Sequence, residues 1–127
     1  MAAHESLLDL VGGTPMVRLH RLAEGIAARV YVKLEYLNPG GSVKDRAATA
    51  MVLAAERSGA LRPGGTIVEG SSGNTGTGLA QAAAAHGYRM LCVLPHTTAG
   101  EKVDVLRAYG AEVVPVSYTH LTLPTKA

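Results

Sequence analysis

From Thr66 to Val116 the chain alternates between short apolar runs and longer segments of helical pattern, and a glycine closes each longer segment. Thr66 to Glu69, Arg89 to Leu94 and Glu112 to Val116 read as strands. Asn74 to His86, closed by Gly87, and Glu101 to Tyr109, closed by Gly110, read as helices. Strands in this order, with a helix between each pair, predict a parallel sheet, because parallel neighbours need crossover connections. The fold class expected is therefore α/β, a parallel sheet with helices on both faces.

Ahead of this unit, His4 to Val11 reads as a short helix ended by Gly12-Gly13. Thr14-Pro15 opens an extended segment, Met16 to Leu19, since proline biases its predecessor away from helix. Arg29 to Leu37 alternates as a strand, with Val30, Val32 and Leu34 on one side and Tyr31 and Lys33 on the other. Arg46 to Ser58 reads as a helix with one buried face, stopped at Gly59. Apolar residues make up 47% of the chain, yet there is no Phe or Trp, so the core has to be built of Ala, Val, Leu and Met. A formal charge of +2 with no basic run gives no indication of nucleic acid or an acidic membrane surface as partner. Cys92, the only cysteine, lies in the apolar run Met90 to Leu94, so a buried, inert thiol is expected, and neither a disulfide framework nor a zinc site. No stretch is long and apolar enough to span a bilayer and the start carries no leader pattern, so a cytoplasmic location is the default expectation.

Two loops carry the chemistry. In Asn38-Pro39-Gly40-Gly41-Ser42-Val43-Lys44-Asp45-Arg46, Ser42 followed three residues later by Asp45 is a capping-box pattern, which makes Ser42 the N-cap and Lys44 the second helical residue. A cation is unwelcome there, because the unpaired amides and the macrodipole put partial positive charge at that end. An amine that has to act as a neutral nucleophile gains from the same placement; the alternative is a solvated lysine on a well-capped helix. The second loop, Ser71-Ser72-Gly73-Asn74-Thr75-Gly76-Thr77-Gly78, joins a strand to a helix. Its small residues let the backbone approach a ligand and turn several amides toward it, an anion site with hydroxyls added; the alternative is an ordinary turn with a serine cap. A dinucleotide site fits poorly. The glycines are spaced G-x-x-G-x-G rather than G-x-G-x-x-G, and Leu94-Pro95-His96 stands where an acidic ribose ligand is expected.

Together, Lys33-Leu34-Glu35-Tyr36-Leu37-Asn38-Pro39-Gly40-Gly41-Ser42-Val43-Lys44-Asp45-Arg46 and Ser71-Ser72-Gly73-Asn74-Thr75-Gly76 resemble the two signature segments of the cysteine synthase and cystathionine β-synthase family. These are fold-type II pyridoxal-phosphate enzymes, similar in fold to the tryptophan synthase β-subunit. The resemblance runs from Gly13-Thr14-Pro15-Met16-Val17-Arg18-Leu19 to about Val116, and is closest to cystathionine β-synthases over Asn38 to Arg46 and Glu101 to Val114. It implies that Lys44 holds the cofactor covalently and, once displaced by substrate, moves the α-proton. It implies that Asn74 hydrogen-bonds the cofactor's 3′ oxygen, and that Ser71, Ser72, Gly73 and Thr75 hold the substrate carboxylate. The implied reaction is β-replacement: serine or an activated serine loses its β-substituent, and a thiol or sulfide adds, giving cystathionine or cysteine. Amino-acid and thiol substrates and a homodimer of the full-length protein are the implied partners.

Departures from the family pattern are Gly70, where proline or alanine is common, and Ser71, where threonine is usual. The family's later phosphate-cradling loop and the residue that meets the pyridine nitrogen lie beyond Ala127, so residues 1–116 are expected to be the N-terminal part of an incomplete catalytic core, inactive alone. Residues 117–127 break the pattern abruptly and are expected to be a non-native tail; the competing reading is a final strand. Two rival functions stay open: a serine or threonine dehydratase of the same fold, and a non-catalytic anion- or nucleotide-binding module. His86 sits at a helix end where a cation complements the dipole. His4, His20, His96 and His120 have no spacing that suggests a metal site.

Overall fold

The computed structural model describes residues 3–71 and 73–117. Two short strands come first, β1 (Met16–Arg18) and β2 (Tyr31–Lys33), paired antiparallel with Val17 opposite Val32. Helix α1 (Lys44–Ser58) leads to the parallel unit: β3 (Thr66–Glu69), α2 (Asn74–His86), β4 (Arg89–Pro95), α3 (Gly100–Ala108) and β5 (Glu112–Val116). The sheet order is β3-β4-β5, parallel throughout, with Ile67 beside Met90 and Cys92 beside Val113. The expected parallel α/β unit is present. Gly59 and Gly87, both at φ +74°, close α1 and α2 in the left-handed conformation that glycine adopts without a Cβ penalty.

Along β4 the burial alternates: Met90, Cys92 and Leu94 are buried under the helices, while Leu91 and Val93 are half-exposed on the other side. Ile67 and Val113 join the covered side, and Val68, one residue out of phase, is 61% exposed. As the composition requires, the core is built from small residues around Leu79, Leu94 and Leu106. Ala48 of α1 lies against Gly78 of α2, whose missing side chain lets the helices approach; a Cβ there would fall 2.9 Å from that of Ala48. Cys92 is fully buried, and burial pushes its thiol up from the ordinary value, in keeping with an inert role.

Three local expectations are corrected. The strand expected over Arg29 to Leu37 is only Tyr31–Lys33, followed by a 3₁₀ turn at Glu35–Leu37. The Asn38 side-chain amide donates to the Glu35 carbonyl at 2.8 Å and curls the backbone there, an option that alternation in sequence does not register. The helix expected over His4 to Val11 is a single 3₁₀ turn, Leu7–Leu10, with a true capping box made by Ser6 and Asp9. The box expected at Ser42 and Asp45 does not form. The Ser42 hydroxyl accepts the Lys44 amide at 3.2 Å, Val43 takes the N-cap position, and the Asp45 carboxylate accepts the Gly40 amide at 2.5 Å. The Gly40-Gly41 turn, with Gly41 at φ +77°, brings that amide over the buried Asp45 side chain, so a donor five residues back wins over the one three back. Of the tail expected over 117–127, residues 118–127 lie outside the described residues. Among those described, no helix is long and apolar enough to cross a membrane.

Candidate active site

Helices α1 and α2 run side by side in the same direction. Near their starts, a Cβ on Gly78 would lie 3.3 Å from the Lys44 carbonyl oxygen. Near their ends, Glu56 of α1 accepts the Tyr88 hydroxyl at 2.7 Å and lies 2.7 Å from His86 Nδ1. Both N-termini therefore open at one end of the molecule, and because α2 follows β3 through a short loop, that end is the carboxyl end of the parallel strands. Crevices at that end are where open α/β sheets bind ligands. At α1 the Ser42 hydroxyl and the Ser42 and Val43 carbonyls accept the first three amides, whereas α2 has no side-chain cap and its first-turn amides have no carbonyl partner inside the helix, so partial positive charge gathers at its start.

A cleft of ≈ 380 Å³ opens at this end between Gly40, the start of α2 (Gly73, Asn74, Thr77) and the start of α3 (Glu101, Lys102, Val105). Asn74 and Gly73, expected at the site, are thus in its wall, and the Asn74 side chain is exposed, with no hydrogen bond to the described residues. Lys44 is not a wall residue; it is exposed on the first residue of α1, and its amine has no partner among the described residues. Ser71 and Thr75 are half-buried outside that wall, and Ser72 lies outside the described residues. Ser71 accepts the Gly73 amide through its hydroxyl at 3.1 Å, which leaves the hydroxyl proton free to donate. Gly76 is pressed against the loop: a Cβ there would meet the Ser71 carbonyl oxygen at 2.5 Å, so the tight strand-to-helix turn needs glycine. Gly40 and Thr77 belong to the two loops that the sequence singled out, whereas sequence reasoning missed Glu101, Lys102 and Val105 as wall residues. Their signal was position, since the loop after β4, like that after β3, ends at the carboxyl edge of the sheet.

The Lys44 turn is held by a polar network. Arg46 donates to both carboxylate oxygens of Glu35, at 2.8 and 3.0 Å, and to the Gly12 carbonyl at 2.9 Å. Glu35 also accepts from the Thr14 hydroxyl and the Asn38 side chain, each at 2.8 Å. The Arg46 hydrogen bond first, then that of Thr14, holds the Glu35 carboxyl well below its ordinary value, down to about 2. Depression of a folded-state carboxyl below its unfolded value stabilises the fold at pH above the unfolded pKa, ~4.3, and that contribution is lost as pH falls toward the folded value. An NMR titration of the Glu35 carboxyl is expected to give a midpoint near 2, moving up toward the ordinary range in Arg46→Gln; an ordinary midpoint in the unsubstituted protein contradicts the geometry. Burial acts oppositely on Asp45, raising its carboxyl, and leaves its Oδ1 without a hydrogen-bond partner among the described residues.

A parallel α/β unit with an exposed lysine at one helix start and a small-residue loop at the next, both at the carboxyl edge of the sheet, places the chain among open α/β folds with a ligand crevice at that edge. The chain belongs to the family described as pyridoxal-phosphate dependent enzyme, whose pattern matches residues 7–123. It is 58% identical over 106 residues to a probable cysteine synthase of Bacillus subtilis, covering 84% of this chain and 34% of that protein. Its fold matches the crystal structure of O-ureido-L-serine synthase with TM-score 0.83 at 48% identity, over 97% of this chain and 38% of that one. It matches the O-acetylserine dependent cystathionine beta-synthase from Helicobacter pylori with TM-score 0.82 at 34% identity, over 94% of this chain and 40% of that one. The chain spans about a third of the length of the relatives it matches. The family's cofactor is pyridoxal phosphate; the Asn74 carboxamide and the backbone of Gly40 and Gly73 stand in the cleft wall that a flat ring can approach, and the Lys44 amine, outside that wall, has no partner among the described residues.

Proposed function

We propose that the full-length protein catalyses pyridoxal-phosphate dependent β-replacement, exchanging the β-substituent of an activated serine such as O-acetylserine for sulfide to give cysteine. The observation that carries this reading is the free Lys44 amine at the start of α1 beside the small-residue start of α2. When bound, the cofactor supplies the electron sink that makes an amino-acid α-proton removable. Lys44 is the covalent anchor and, once released, the base at that proton. Asn74 orients the cofactor ring by donating from its carboxamide to the 3′ oxygen. Ser71, Ser72, Gly73 and Thr75 bind the substrate carboxylate with hydroxyls and backbone amides at the positive end of α2.

Homocysteine is the second acceptor considered, giving cystathionine; the Helicobacter pylori structure supports it, while the Bacillus subtilis relative supports sulfide. The experiment is an assay of the full-length protein with O-acetylserine and either sulfide or homocysteine, product identified by mass spectrometry. Cysteine is expected to form faster than cystathionine. Pyruvate released from serine without any thiol would move the protein to the dehydratases of the same fold. No product with any pair, and no pyridoxal phosphate bound, would leave a non-catalytic anion-binding module.

A further inference from the structure

The side chain that follows Lys44 by two residues makes four hydrogen bonds, as many as the Glu35 side chain it pairs with, and none of its partners belongs to the cleft. Arg46 Nε and Nη2 span Glu35 Oε2 and Oε1, Nη2 also reaches the Gly12 carbonyl at 2.9 Å and the Thr14 hydroxyl at 3.3 Å, and the Gly12 amide donates to Asn38 Oδ1 at 2.8 Å. The guanidinium passes so close beneath the Gly12 turn, at φ +85°, that a Cβ there would meet Arg46 Nη1 at 2.7 Å. Arg46 thus ties the turn before β1 and the turn after β2 to the first turn of α1.

On an α-helix, residues two apart leave the axis about 200° from each other. A side chain pinned on one side of the first turn therefore fixes the direction in which the residue on the far side leaves it. We infer that Arg46, clamped by Glu35, is a positioning residue that sets the azimuth of α1 and so aims Lys44. This rests on the proposed function only in taking the Lys44 amine as the reacting group. The network is half open to water, with the Arg46 and Glu35 side chains 40% and 22% exposed, which limits what it adds to stability. Its specificity is geometric: the planar fork satisfies two carboxylate oxygens, a carbonyl and a hydroxyl at once, which a lysine ammonium at that position does not.

The test compares full-length wild-type protein with Arg46→Lys and Glu35→Gln, each checked by far-ultraviolet circular dichroism to be folded at the assay temperature. Pyridoxal phosphate is added, the rate of its capture is followed by borohydride trapping and peptide mapping at Lys44, and the induced circular dichroism of the bound chromophore is recorded. Both variants are expected to capture about tenfold more slowly and to show a weakened induced signal. Folded variants that capture at the wild-type rate with an unchanged signal would overturn the positioning role and leave the proposed function standing. Absence of capture at Lys44 in the wild type would overturn both.

Discussion

Lys44→Ala is expected to give a full-length protein that is folded, slightly more stable than the wild type when both are free of cofactor, and without β-replacement activity. The structural half follows from position. Lys44 opens α1, is exposed, and its amine meets no described partner, so truncating it leaves no cavity and no orphaned charge. It removes a cation from the positive end of a helix dipole, worth ~0.3–1 kcal/mol in favour of the variant. Alanine is also the better helix former. The chemical half follows from role: with neither covalent anchor nor base, activity should fall by about a thousandfold or more. Thermal unfolding and initial-rate assays on the same samples check both halves. Retained activity would remove Lys44 from the chemistry, and a loss of stability would mean that the amine makes a stabilising contact. Activity bought with stability is the usual sign of a functional side chain in an unfavourable place.

How far the sequence predicts this arrangement depends on whether the deciding interactions are local. β3, α2 and β5 fall on the residues expected, because periodicity and a following glycine are properties of a few adjacent residues, and Gly87 takes the left-handed conformation that its place after a helix predicts. The extent of β2 and the cap of α1 did not follow, because in each a side chain takes a backbone partner three or five residues back that neither alternation nor the capping pattern registers. Asn38 bends the chain after β2 while its Oδ1 accepts an amide from Gly12. Asp45 leaves its box for Gly40 because a left-handed glycine turns that amide inward. At the site, Lys44 and Asn74 stood out as individual residues, but that their helices start side by side depends on Gly78 packing on Ala48, a contact between segments thirty residues apart. Lys102 carried no chemical signal in the sequence; it enters the cleft only because α3 starts where α2 does, at the carboxyl edge of the sheet.

The largest loss of stability is expected from Leu106→Ala. Leu106 is 1% exposed and is the one buried residue of α3, so with the partly buried Val103 it fastens that helix to the core. Five of the eleven buried residues of the core are alanines, Ala48, Ala80 and Ala82 among them fully buried. Alanines have no rotamers with which to fill a void, so the cavity should persist and the cost should be ~2–5 kcal/mol, a large share of the ~5–15 kcal/mol that holds a typical domain. The effect should also reach the cleft. Leu106 Cδ2 lies 3.8 Å from where a Cβ on Gly76 would sit, and the Ser71 carbonyl presses on the same glycine from the loop, so the backbone that carries Asn74 is held between the two. Losing one of them should loosen the first turn of α2 more than its last. Urea denaturation measures the first effect, with Leu106→Met as a volume-conserving control expected to cost less than about 1.5 kcal/mol. Amide hydrogen exchange measures the second: faster exchange at residues 75–78 than at 83–86, relative to the parent protein, is the expected pattern. Uniform acceleration along α2 would mean that Leu106 supports the core without supporting the site.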